Sequence, residues 1–183
     1  MPFAPGHHTL GPDNGTLSVR TRKAGAASKA GHNLLIEVQA WSATLDLSED
    51  GAGGVVALTA DPRSLKVVEG TGGISALDDD DKAGIAQTID EEVLKGTAIA
   101  FRSTSLEGGA GSDSLRVGGD LELAGRSHPI AFELTSDAAG TLTGAAVLKQ
   151  TDWGMKPYSA LFGTLKVVDE VTVEVTAQLP ADP

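Results

Sequence analysis

Residues 165–179 read LKVVDEVTVEVTAQL, and their alternation decides the fold. Leu165, Val167, Val171, Val173, Val175, Ala177 and Leu179 share the odd phase. Lys166, Glu170, Thr172, Glu174, Thr176 and Gln178 share the even phase with Val168. Successive side chains of a strand point to opposite faces, so this segment is a strand with one dry face and one wet face. The same period recurs along most of the chain, which predicts a mainly antiparallel sheet. Such a sheet must hide its edges, and curling into a barrel is a common way to do so. The interior of a barrel is either packed side chains or a pocket for an apolar ligand.

Working backwards, Leu142 to Leu148 and Ile130, Phe132 and Leu134 repeat the pattern. So do Leu115, Val117, Leu121 and Leu123, where Gly118-Gly119 predicts a kink. Ile99 and Phe101, Val56 to Ala60, and Leu17 and Val19 give further strands. Leu34, Ile36 and Val38 take one phase and Trp41, Ala43, Leu45 and Leu47 the other, which predicts a bulge or bend near Ala40. Asp78 to Lys95 is the one helical pattern, with Ile85, Ile89 and Val93 four apart and Gly96 as its stop. The expected fold is all-β: an eight-stranded antiparallel lipocalin-like barrel with one inserted α-helix. Residues 1–15 are expected as an extended or mobile N-terminal segment, and 16–183 as a single barrel domain.

The chain has 183 residues, enough for one domain with a real core. Aromatic residues are only 4%, so Ala, Gly, Val and Leu must fill the interior. The net charge of −11 argues against nucleic acid or anionic lipid headgroups as main partners. With no Cys, disulfides, thiol catalysis and Cys-based metal centres are excluded. The N-terminus lacks a basic segment followed by an apolar one, and no stretch has the length of a membrane span. The expectation is a cytoplasmic protein that does not span a membrane.

No catalytic motif emerges. Gly73-Ile74-Ser75-Ala76-Leu77 lacks the closing glycine of a nucleophile elbow, and no Gly-Lys-Ser/Thr occurs. Asp78 to Asp81 fit a helix N-terminus better than an incomplete calcium loop. His7 and His8 fall in the terminal segment. His32 serves either a structural hydrogen bond or contact with a ligand or metal, the first being the expectation. The reading is therefore not an enzyme, with no cofactor and no metal site. Trp153, Tyr158 and Phe162 lie in one loop and are expected to gate a barrel mouth.

Ordered landmarks carry a family resemblance. They are Leu17-Ser18-Val19-Arg20, Gly31-His32-Asn33-Leu34, Ala43-Thr44-Leu45-Asp46-Leu47 and Ile99 to Thr104. They continue with Gly118 to Gly125, running into His128-Pro129-Ile130, and end with Asp169 to Val175. In order and spacing the chain resembles the YceI-like family of lipocalin-like, polyisoprenoid-binding barrels. The resemblance implies an apolar tunnel for an isoprenoid or other long-chain apolar ligand, no catalytic residues, and a possible homodimer. The residues expected at the ligand are Val19, His32, Ile36, Val38, Phe101, Leu121, Phe132, Trp153, Tyr158, Phe162 and Val173. The expected function is binding or sequestration of a polyisoprenoid or prenyl quinone. The alternative is a non-catalytic stress-related or interaction protein with a fully packed barrel.

Overall fold

The computed structural model describes residues 2–51 and 53–179. Met1, residues 180–183 of the expected domain, and Ala52 of the Gly51–Gly54 turn lie outside the described residues. The alternating segments become strands β1 (Gly6–Leu10), β2 (Gly15–Thr21), β3 (Lys23–Ala24), β4 (His32–Val38), β5 (Trp41–Leu47), β6 (Gly54–Ala60) and β7 (Leu65–Gly72). Helix α1 (Asp79–Thr88) follows, then β8 (Ile99–Glu107), β9 (Ser114–Leu123), β10 (Arg126–Ser136) and β11 (Thr141–Lys149). Strands β12 (Ser159–Ala160), β13 (Leu165–Val167) and β14 (Glu170–Gln178) complete the order.

The architecture is mostly β: one antiparallel sheet curled into a half-barrel. Its order is β1-β5-β6-β8-β9-β10-β11-β14-β2-β4-β7, so it has eleven strands and not the expected eight. Two bends and one extra strand account for the difference. Residues 32–47 and 54–72 form one long hairpin, in which Trp41 pairs with Ala60 and Val38 with Leu65. Both arms bend at the same level. Gln39 N donates to Ser64 O and Asp61 N to Ala40 O, both at 3.0 Å, so the ladder is bridged through the corner. The phase change near Ala40 is this bend. It sends β5 and β6 to one end of the strand order and β4 and β7 to the other.

The extra strand is β1, which pairs with β5 from Gly6↔Leu47 to Leu10↔Ala43. The opening segment is thus extended and ordered against the sheet. His8 is buried, with Nε2 donating to the Ala4 carbonyl at 2.8 Å, and Phe3 is almost wholly enclosed. A small second sheet, β12-β13-β3, lies outside the curl.

The kink at Gly118-Gly119 is a register shift opposite Ser103 and Ser105 of β8. A Cβ on Gly119 would stand 2.4 Å from Arg102 O and 2.7 Å from the Phe101 ring, so only glycine lets the strands approach there. Pro129 sits on the first half of β10, which pairs with β9 alone; β11 joins only from Glu133 onward. A residue without an N–H is tolerated there because no second partner asks for it.

Candidate ligand-binding cavity

The interior differs at its two ends. One end holds Phe3, Leu45, Leu115, Val117 and Leu142, all under 2% exposed. Further along the same inward phases, Ile130, Phe132, Val171, Val173 and Val175 pack on the core yet stay half-buried. Inward apolar side chains that keep accessible surface border a void. That void is a cavity of about 260 Å³.

The second end is where β2, β7, β9, β11 and β14 reach Thr21, Gly72, Leu123, Lys149 and Glu170. Helix α1 spans from β7 to β8 across it. Asp78 Oδ1 accepts from Asp81 N at 2.8 Å, and Asp81 Oδ2 accepts from Asp78 N at 3.2 Å. This capping box satisfies free N–H groups of the first turn and places negative charge at the positive end of the helix. The helix does not run unbroken to Lys95. After Thr88 it widens into a π-turn over Ile89–Val93, with Leu94 N donating to Ile89 O at 2.9 Å. Lys95 and Gly96 then take left-handed φ values of 56° and 62°. The result turns Ile89, Val93 and Leu94 onto the cavity.

Seven of the eleven expected ligand residues meet at this void: Val19, Ile36, Val38, Phe101, Leu121, Phe132 and Val173. The Phe101 and Phe132 rings lie 5.4 Å apart, tilted by 57°. The other four stand elsewhere. His32 Nε2 donates to the Ser75 carbonyl at 2.7 Å, pinning the loop after β7. Trp153 is no gate: it is 1% exposed, and its Nε1 donates to Leu121 O at 2.7 Å. Its ring stacks at a tilt on His128, 5.1 Å away. It is a plug where β10 and β11 part, since β11 pairs with β10 only from Glu133 onward. Tyr158 and Phe162 point into solvent beside β12, away from the cavity.

Thr21, Gln150, Met155 and the helix residues also line the void, and the sequence reading missed them as ligand contacts. Ile89 and Val93 were visible as a helical stripe, but nothing local tells which surface that stripe covers. Thr21 continues the inward phase of Leu17 and Val19. Its Oγ1 is buried without a hydrogen-bond partner among the described residues. Gln150 is held from behind, its Nε2 donating to Val168 O at 3.1 Å. The lining is otherwise almost wholly hydrocarbon. It can exclude water and bury an apolar body, and it offers one free hydroxyl to a polar group.

A YceI-like domain model matches residues 9–179, nearly the whole described chain. The chain belongs to the YceI-like family. Solved structures agree on the fold. The chain is similar to Burkholderia cenocepacia BcnA at 17% identity and TM-score 0.63, covering 92% of this chain and 96% of that one. It is also similar to a Campylobacter jejuni YceI protein at 12% identity and TM-score 0.55, covering 80% and 85%. No curated protein matches. As in any YceI-like domain at such low identity, likeness carries the fold and leaves the site to be read from this chain. Among the described residues no group of three or more His, Asp or Glu is placed to hold a metal ion. No helix among them is long and apolar enough to cross a membrane.

Proposed function

We propose that this protein binds and sequesters an apolar, lipid-like molecule, a polyisoprenoid or prenyl quinone, in the cavity of its curled sheet. The observation that carries the reading is the void itself: residues on all eleven strands of the curled sheet and on the turn that ends the helix leave about 260 Å³ unfilled by the described residues. A fully packed interaction protein has no use for such a gap, since each unfilled space costs dispersion contacts. Small-molecule sites run from about 300 to 1,000 Å³, so a cavity of 260 Å³ seats one apolar segment and not several side by side. Burying that segment contributes about 25 cal/mol per Å² of apolar surface, offset by the entropy of ordering it. Thr21 Oγ1 supplies a hydrogen bond to a ligand hydroxyl or carbonyl, which would satisfy an otherwise orphaned buried group. No catalytic role is assigned to any residue.

The test is native mass spectrometry of freshly purified, untagged protein, followed by organic extraction. A reproducible added mass that extracts as a prenyl lipid or quinone is expected. Leu121→Trp and Val173→Trp should fold and lose that mass, because a bulky ring on either wall fills the void. A clean apo mass, or full ligand retention in both folded variants, would overturn the reading. Thr21→Val should keep the fold and bind about tenfold more weakly if the ligand carries a polar head, the value of one hydrogen bond.

A further inference from the structure

The chain segregates its charge. Residues 14–36 and 153–168 contain six of the fourteen basic residues and none of the 25 acidic ones. The fold brings these two spans together. Strand β3 pairs with β13, Ala27 N donates to Thr164 O, and Val168 N donates to Arg22 O, the last two at 2.8 Å. Arg20 and Arg22 are answered by Glu174 and Glu170 of β14, at 2.8 and 3.6 Å. Lys23, Lys29, Lys156 and Lys166 have no carboxylate within ion-pair distance among the described residues. A protein of net charge −11 therefore presents one cationic face.

Large apolar side chains stand on that same face. Phe162 is fully exposed and Leu161 more than half exposed, at the tip of the turn between β12 and β13. Both hold left-handed backbone angles, φ 50° for Leu161 and 56° for Phe162. The tight turn between the paired strands β12 and β13 imposes these angles, which are uncommon for non-glycine residues, and both side chains stand outward on it. The Lys166 side chain passes beside Gly163, next to the tip. Ile74, also exposed, borders the patch beyond Lys23, on the side where the acidic start of α1 begins. The patch lies at the end of the curl where the helix crosses the cavity.

We propose that this face is a docking surface for an anionic lipid bilayer. Leu161 and Phe162 enter the boundary of the acyl chains, and the exposed Lys29 and Lys166 beside them meet the headgroups. Apolar burial plus attraction of basic residues to an anionic surface is the physical basis of interfacial binding. The acidic remainder, Asp78 to Asp81 at the start of α1 included, is repelled, so the turn between β12 and β13 meets the lipid and the helix start is held away from it. A second copy of this chain is disfavoured as occupant, because a symmetric contact would set the same lysines against each other. The inference concerns the outside of the molecule and holds whether or not the cavity is loaded.

The experiment is cosedimentation of the full chain with phosphatidylcholine vesicles, with and without phosphatidylglycerol, neither containing a prenyl lipid. Binding is expected only with phosphatidylglycerol, and weaker in high salt. Lys29→Gln and Lys166→Gln should each weaken it about fivefold, and Phe162→Ser at least tenfold. Arg116→Gln, on an ion-paired residue of β9, should leave it unchanged. In Phe162→Trp the new indole is the exposed one, since Trp41 and Trp153 are buried. Its emission should shift to the blue on anionic vesicles, which reports insertion independently of how the serine variant folds. Failure of the wild type to bind, equal binding to neutral vesicles, wild-type binding by folded Phe162→Ser, or an unshifted spectrum would each overturn the proposal. A dimer lost in Phe162→Ser, with no vesicle binding, would assign the face to a second copy instead.

Discussion

Trp153 shows how a residue is decided by partners remote in sequence. Its loop, between Lys149 and Tyr158, is rich in turn formers, which reads as a rim. The hydrogen bond to Leu121 O, 32 residues away, makes it part of the wall. Trp153→Phe keeps most of the volume but leaves that buried carbonyl without its donor. A loss of about 1–3 kcal/mol in denaturant unfolding is expected. Gly119 is the opposite case, since its role was partly legible: paired glycines in a strand mark a kink or a close approach. Gly119→Ala would press a methyl against Arg102 O, Ser103 Cα and the Phe101 ring. Overpacking of that kind should cost about 1–3 kcal/mol, read from the same unfolding curves.

At the scale of elements, local chemistry predicts well where it is self-contained. The run of aspartates before the helix reads as a cap, and Asp78 and Asp81 form one. Asp78→Ala should destabilise the protein by about 1 kcal/mol in thermal or denaturant melts. The turn between β10 and β11 has an equally local logic. The Asp137 carboxylate accepts from the backbone N–H of Thr141 and of Ala139, each at 2.9 Å. These bonds, that from Thr141 foremost, hold its pKa below the ordinary carboxylate value. A folded pKa below the unfolded one gives stability that is complete above the unfolded value and lost as pH falls through the folded one. Wild type and Asp137→Asn should therefore differ in melting temperature near neutrality and converge in acid. The helix end was less legible. The π-turn at Ile89–Val93 follows from seating Ile89, Val93 and Leu94 on the cavity, a demand that comes from β-strands elsewhere in the chain.

At the scale of the whole molecule, the cavity should answer to any small apolar probe once natural ligand is stripped away. An apolar cavity of about 150 Å³ suffices to take up benzene. Benzene should raise the melting temperature of the delipidated wild type and leave Val173→Trp unmoved, because only a state that binds is stabilised. The sequence by itself determined the strand content, the bend near Ala40, the inward phase and seven of the cavity residues. All of these follow from period two and from glycine, proline and aspartate acting on their immediate neighbours. Only the tertiary structure decided that the arm 54–72 bends opposite Ala40 and that β1 joins the sheet, making eleven strands. It also decided that Trp153 is a plug, that Tyr158 and Phe162 face away from the cavity, and that the acid-free spans meet on one face. Each of these depends on which segments become neighbours, and a periodicity specifies which way a side chain points without saying what stands opposite it.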